Sequence, residues 1–110
     1  MIGSNDSRFG NNPLKFVNDL DVDGNIVYFI DSTNMTSMDN PIGLIQEMSQ
    51  NVPRGRLIRY DESTDMLEVL EDELNFPNGI TLTPSKKNLL INEVMTRRIV
   101  KFVYLFFGFS

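Results

Sequence analysis

The sequence predicts an all-β fold: four strands wound up and down into one sheet, followed by the first three strands of a second sheet of the same kind. Three observations predict it. First, Phe16-Val17-Asn18-Asp19-Leu20-Asp21-Val22 matches Phe76-Pro77-Asn78-Gly79-Ile80-Thr81-Leu82 at the Phe, the Asn and the alternating aliphatic positions, sixty residues on. Self-similarity at a fixed spacing is the mark of repeated supersecondary units. Second, each copy runs through a turn signal into another apolar run. Third, four strand-patterned runs separate the start of one copy from the start of the next, which is the strand count of one blade of a β-propeller.

The elements follow in order. After the first copy, Asp23-Gly24-Asn25 is a tight-turn signal and Ile26-Val27-Tyr28-Phe29-Ile30 a β-rich strand, so the pair reads as a hairpin. Pro41 to Gln50 breaks the pattern; Ile42, Leu44, Ile45 and Met48 suit a short amphipathic helix or structured loop inserted between the second and third strands. Gly55-Arg56-Leu57-Ile58-Arg59-Tyr60-Asp61 and Met66-Leu67-Glu68-Val69-Leu70, joined by Glu62-Ser63-Thr64-Asp65, form the next hairpin and complete the first blade. The second copy turns at Thr83-Pro84-Ser85-Lys86-Lys87 and returns through Asn88-Leu89-Leu90-Ile91-Asn92-Glu93-Val94. A third strand is expected over residues 98–104, and an outer strand for this second blade is missing. The domain reading is a polar, disordered segment over 1–13, a partial propeller over 14–104 and an apolar tail over 105–110.

Composition narrows the chemistry. The chain of 110 residues allows one domain, and its hydrophobic share of 41% and charged share of 23% are those of a globular protein. The net charge of −5, from 10 Lys+Arg against 15 Asp+Glu, argues against nucleic acid as a partner, because a phosphate backbone needs clustered cations. The one close cationic group, Arg97, Arg98 and Lys101, reads as a solvated strand edge. With no Cys and no His, thiolate and imidazole zinc sites, thiol nucleophiles and Ser-His-Asp machinery are excluded. No apolar signal core is visible near the start, and the apolar run over 102–109 is far short of the roughly 20 residues that span a bilayer.

Two asparagines stand out. Asn18 and Asn78 each head the innermost strand of a blade, and in a propeller those heads converge on the axis. Amide oxygens there are neutral hard donors of the kind that hold Ca²⁺. The competing reading is a turn asparagine bonded to its own backbone, and the repetition at equivalent places favours a metal or pocket role. Asp19-Leu20-Asp21-Val22-Asp23-Gly24 imitates the first half of an EF-hand loop, but position twelve is Ile30, so acidic residues on a strand and an Asp-Gly turn account for it. Asn34-Met35-Thr36 and Asn5-Asp6-Ser7 are N-glycosylation sequons, with Asn34 the better acceptor because it follows a strand in a polar loop. Glu93 stands near the end of a strand and is expected to face a rim or a neighbouring blade, either solvated or salt-bridged to Arg97 or Arg98.

Four ordered blocks, Phe16 to Val22, Tyr28-Phe29-Ile30-Asp31-Ser32, Gly55 to Asp61 and Phe76-Pro77-Asn78-Gly79-Ile80, resemble the conserved region of strictosidine-synthase-like proteins over residues 14–104. The resemblance implies a six-bladed propeller related to paraoxonases and regucalcin-type lactonases, in which an Asn heading an inner strand in each of two blades binds a central Ca²⁺; Asn18 and Asn78 match those places. It implies a Ca²⁺-supported hydrolase of arylesterase or lactonase type, acting on a small-molecule ester or lactone, in a glycoprotein of the membrane or secretory pathway whose anchor this chain lacks. Two alternatives stay open: a condensing enzyme like the plant synthases, or a non-catalytic membrane-tethered scaffold. No catalytic residue is assigned, since the synthases' acid/base glutamate falls in blades outside these residues. A partial gene model or truncated product, inactive by itself and prone to aggregate through uncovered sheet faces, is the expectation.

Overall fold

The computed structural model describes residues 3, 6–93, 96 and 98–103. Among these residues seven strands and one α-helix follow in chain order: β1 (Val17–Asp23), β2 (Ile26–Asp31), α1 (Pro41–Gln50), β3 (Gly55–Asp61), β4 (Met66–Leu74), β5 (Pro77–Leu82), β6 (Asn88–Glu93) and β7 (Arg98–Val103). The first four make one antiparallel sheet in sequential order, and the last three make a second. That is the up-and-down winding expected of one complete blade and three strands of the next. Tyr104, the tail over 105–110, Arg97 and Asn5 lie outside the described residues.

The strands form where alternation and turn chemistry agree. Gly24 sits at φ +61 in the turn between β1 and β2, a conformation glycine adopts without strain. Along β2, Tyr28 and Ile30 point between the sheets and join Leu57, Leu74, Ile80, Leu89 and Ile91 in the main core. Phe29 points the other way, onto Phe9, Ile58 and Tyr60. Each fully buried Ile or Leu of the main core contributes roughly 1.5–3 kcal/mol of transfer free energy. The sheets also meet through close backbone approach. A Cβ on Gly55 would lie 2.2 Å from Pro77 Cδ, so only glycine lets β3 pass the head of β5.

The helical reading of 41–50 holds. The Asn40 side chain accepts from the Gly43 N–H at 3.1 Å, Pro41 opens the first turn, and Asn51 closes it in the left-handed conformation at φ 57. Ile42 and Ile45 face outward while Glu47 is buried beneath the helix, where it accepts from the Thr33 hydroxyl and lies 3.7 Å from Arg54.

The start of the chain differs from expectation. Residues 1–13 read as disordered, yet Ser7–Phe9 forms a 3₁₀ turn with Phe9 buried against the outer face of the first sheet. Arg56 explains this. Its guanidinium donates to the carbonyls of Asn12 at 2.7 Å and Pro13 at 3.1 Å, and lies 5.3 Å from the Phe9 ring centroid. A polar composition concealed one aromatic anchor and one buried arginine to receive it.

Candidate functional site

β1 and β5 lie side by side as the inner strands of their sheets, with Asn18 and Asn78 at corresponding ends. In each sheet the pairing register slips by one residue at the asparagine, between Val17 and Asp19 in one and between Pro77 and Gly79 in the other. Both asparagines are therefore the extra residue of a β-bulge, a device that leaves a residue outside the ladder and re-aims its side chain. The two amides meet: Asn18 Nδ2 donates to Asn78 Oδ1 at 2.8 Å and to Ser32 Oγ at 3.0 Å. Just ahead of them, the rings of Phe16 and Phe76 pack edge to face at 5.9 Å between centroids. Phe76 holds φ +46, a conformation bulky residues avoid at a cost on the order of 1–3 kcal/mol, two residues before Asn78.

Polar bonds fasten the two inner strands along their length. The open edge of β5 offers N–H groups that the carboxylates of β1 accept: Ile80 N–H to Asp19 Oδ2 at 3.1 Å and Leu82 N–H to Asp21 Oδ2 at 2.8 Å. The bond from Leu82 holds the Asp21 carboxyl below its ordinary value, against the opposing pull of partial burial. These are the residues of the EF-hand look-alike, and their carboxylates serve as acceptors for a neighbouring strand. Among the described residues, no three acidic side chains gather as a metal cluster.

Behind the asparagines stand two buried acids. Asp31, fully buried, accepts from Phe16 N–H at 2.6 Å, Lys15 N–H at 3.3 Å and the Arg56 guanidinium at 2.6 Å. Burial pushes its carboxyl above the ordinary value even against those bonds. Glu93, also fully buried, accepts from Asn75 N–H at 2.6 Å, Thr96 Oγ1 at 3.0 Å and Arg98 Nε at 2.5 Å. Burial raises Glu93 too, but its hydrogen bonds from Arg98, Asn75 and Thr96 outweigh that and hold it below its ordinary value.

Of the residues singled out from sequence, Asn18 and Asn78 come together. Asn34 stands apart, half-buried in the loop after β2, with its N–H bonded to the Arg54 carbonyl at 3.2 Å and the sequon's Thr36 buried. Of the two roles expected for Glu93 the structure shows the salt bridge, to Arg98, while its full burial rules out the solvated one. Sequence reasoning missed Ser32, whose hydroxyl donates to the Pro77 carbonyl at 2.5 Å, and the Asp31–Arg56 pair. The available signal was an acid at the close of each second strand, facing an arginine at the start of the third.

A family model described as strictosidine synthase matches residues 18–105. The chain belongs to the strictosidine synthase family. Adipocyte plasma membrane-associated protein of Danio rerio is 39% identical over 98 residues, which cover 87% of this chain and 23% of that protein. The human protein of the same name is 39% identical over 88 residues, covering 78% of this chain and 20% of that protein. Protein strictosidine synthase-like 13 of Arabidopsis thaliana is 34% identical over 91 residues, covering 82% of this chain and 22% of its own length. The chain thus spans about a fifth to a quarter of the length of these relatives. The family fold is the β-propeller, and the two antiparallel sheets are a four-stranded blade and three strands of its neighbour. Asn18 and Asn78 lie at the junction of these two blades, on the rim toward which β1 and β5 begin.

Proposed function

We propose that this segment supplies part of an axial Ca²⁺ site in a strictosidine-synthase-like propeller that hydrolyses small-molecule esters or lactones, with Asn18 and Asn78 as two of its oxygen donors. The observation that carries the reading is the contact between two amides at matching bulges, 2.8 Å apart on adjacent inner strands. The two amides carry neutral oxygens of the kind a hard cation takes, and Ca²⁺ takes six to eight of them, so the remainder would come from residues beyond these two strands. A bound divalent cation supplies a centre that polarises an ester carbonyl. The residues of this chain hold and orient. Ser32 fixes the Asn18 amide, and Asp19 and Asp21 keep β5 alongside β1 so that the two asparagines stay adjacent. Membrane association is adopted from the relatives' name, and among the described residues no helix is long and apolar enough to cross a membrane. Glycosylation at Asn34 belongs to the same reading, for a chain that enters the secretory pathway.

The test is calcium titration by calorimetry on a complete propeller carrying this segment, with Asn18→Ala and Asn78→Ala, alongside hydrolysis of an aryl ester. Loss of binding and of hydrolysis together in both variants supports the proposal. A complete propeller that takes up no calcium would overturn it and leave a scaffold role as the better reading.

A further inference from the structure

Asp31 and Glu93 hold one and the same place in the two sheets. Asp31 closes β2, opposite Val17 on β1 and opposite Arg56 on β3. Glu93 closes β6, opposite Pro77 on β5 and opposite Arg98 on β7. Val17 and Pro77 are the residues immediately before the bulged asparagines. Each acid is fully buried and bonded to the arginine across from it, at 2.6 Å in one sheet and 2.5 Å in the other. Each also accepts the backbone N–H of the residue three before its asparagine, Lys15 in the first sheet and Asn75 in the second. The equivalence is one of structure and is hidden in the sequence. The turn between β5 and β6 is longer than that between β1 and β2, so the residue sixty positions after Asp31 is Ile91.

Stability alone is a poor reason for two such pairs. A buried ion pair contributes little over an apolar pair of equal volume, because desolvation offsets the attraction, whereas its hydrogen bonds fix direction and register. The direction fixed here is that of the chain entering the bulge. Bonds to Lys15 and Phe16 on one side and to Asn75 on the other hold the backbone just ahead of Asn18 and Asn78, where a free strand would slide back into regular pairing.

We propose that Asp31–Arg56 and Glu93–Arg98 are positioning pairs, one per blade, that set the bulges and so aim the Asn18 and Asn78 amides at each other and at the ligand they share. None of the four residues touches that ligand. What the amides are aimed at rests on the calcium reading above; the aiming itself is measurable without metal.

The experiment is side-chain amide NMR on the 110-residue chain, following water exchange of the Asn18 and Asn78 Nδ2 protons, with exposed Asn25 as internal reference. In the unaltered chain the Asn18 protons should exchange more slowly than those of Asn25, because they are bonded to Asn78 and Ser32. Asp31→Asn and Glu93→Gln, which keep shape and remove charge, should each speed Asn18 exchange about tenfold by misaligning one partner of that bond. Ile30→Val lowers stability by removing a core methylene and should leave the exchange rate within twofold. Should Asp31→Asn fail to fold, Arg56→Lys replaces it, keeping charge while losing the fork that reaches Asn12, Pro13 and Asp31; a smaller change of the same sign is expected. Unchanged Asn18 exchange in the folded acid variants, or equal release by Ile30→Val, overturns the proposal. An absence of calcium binding in the complete propeller with the amide effect intact would sink the calcium reading and leave the positioning role standing.

Discussion

Ser32 carries two bonds on one oxygen, and replacing it by alanine removes both. Its hydroxyl donates to the Pro77 carbonyl at 2.5 Å and accepts from Asn18 Nδ2 at 3.0 Å, so it ties the end of β2 to the head of β5 where the two asparagines meet. Ser32 and Pro77 are both buried, and the freed carbonyl has no easy route to water. An orphaned buried acceptor costs about 1–3 kcal/mol, whereas the Asn18 amide, only half-buried, recovers a partner from solvent at little cost. Ser32→Ala should therefore lose about 2 kcal/mol. For a domain of this size each kcal/mol is about 4–8 °C in melting temperature, so the expected fall is about 8–16 °C. Urea unfolding followed by circular dichroism measures it, with the denaturant slope unchanged because the Ser32 N–H still bonds the Phe16 carbonyl at 2.8 Å and the fold is retained. A loss below about 0.5 kcal/mol would refute the reasoning, since it would mean that the Pro77 carbonyl finds another donor or never depended on this one.

Arg56→Met leaves the buried Asp31 carboxylate without its cation and should cost about 3–5 kcal/mol near neutral pH. Because burial raises the Asp31 pKa above 3.8, the folded chain binds that proton more tightly than the unfolded chain, and stability falls as pH rises from 3.8 through the raised value. The variant should therefore lose less at pH 4 than at pH 7 in urea midpoints; equal losses at both would contradict the account. Asp21 has the opposite sign: its pKa is lowered, so its contribution is present above the ordinary carboxylate value and disappears as pH falls through the folded value. Asp21→Asn should flatten the acid limb of a stability–pH curve, and an unchanged limb would argue that its bond to Leu82 N–H contributes nothing. Ile91→Ala, at a fully buried core position, should cost about 2–5 kcal/mol by thermal unfolding, with a value under 1 showing that the site collapses around the cavity.

The strands were legible because period-two alternation and turn chemistry act locally. The inner-strand repeat was legible for the same reason, and it singled out Asn18 and Asn78 by position alone. The partners that make a site of them were not. Ser32, Asp31 and Arg56 act across sheets or across strands, and a side chain's reach over such distances leaves no periodic trace. An arginine partner for Glu93 was one of two readings because Arg98 is near in sequence; Asp31 escaped because Arg56 lies beyond the α1 insertion. The ordered Ser7–Phe9 turn was missed on composition, which counts polar residues and cannot show that one phenylalanine among them has a buried guanidinium beneath it.

The sixty-residue equivalence also exposes a difference between the two blade junctions. Where β1 has Asp19 and Asp21, β5 has Gly79 and Thr81. The first pair accepts the open-edge N–H groups of β5, so that junction is closed by charge-assisted bonds. The corresponding positions of β5 carry no carboxylate to offer a third inner strand. What lies beside Gly79 instead is a recess of about 330 Å³ lined by Asp19, Ile80, Leu90, Asn92 and Ile99, with Ile99 70% exposed. Leu90, Asn92 and Ile99 alternate with the core residues Leu89, Ile91 and Val100, so they occupy the face of the second sheet that points away from the first. In a propeller that face meets the following blade. That face offers Leu90 and Ile99 beside Asn92 and the exposed Lys101, which is paired with Leu90 across the strands, so a partner there would meet a mixed surface and not a row of carboxylates. Acidification should therefore loosen the β1–β5 junction through Asp21, whose carboxyl is held below its ordinary value by the Leu82 N–H.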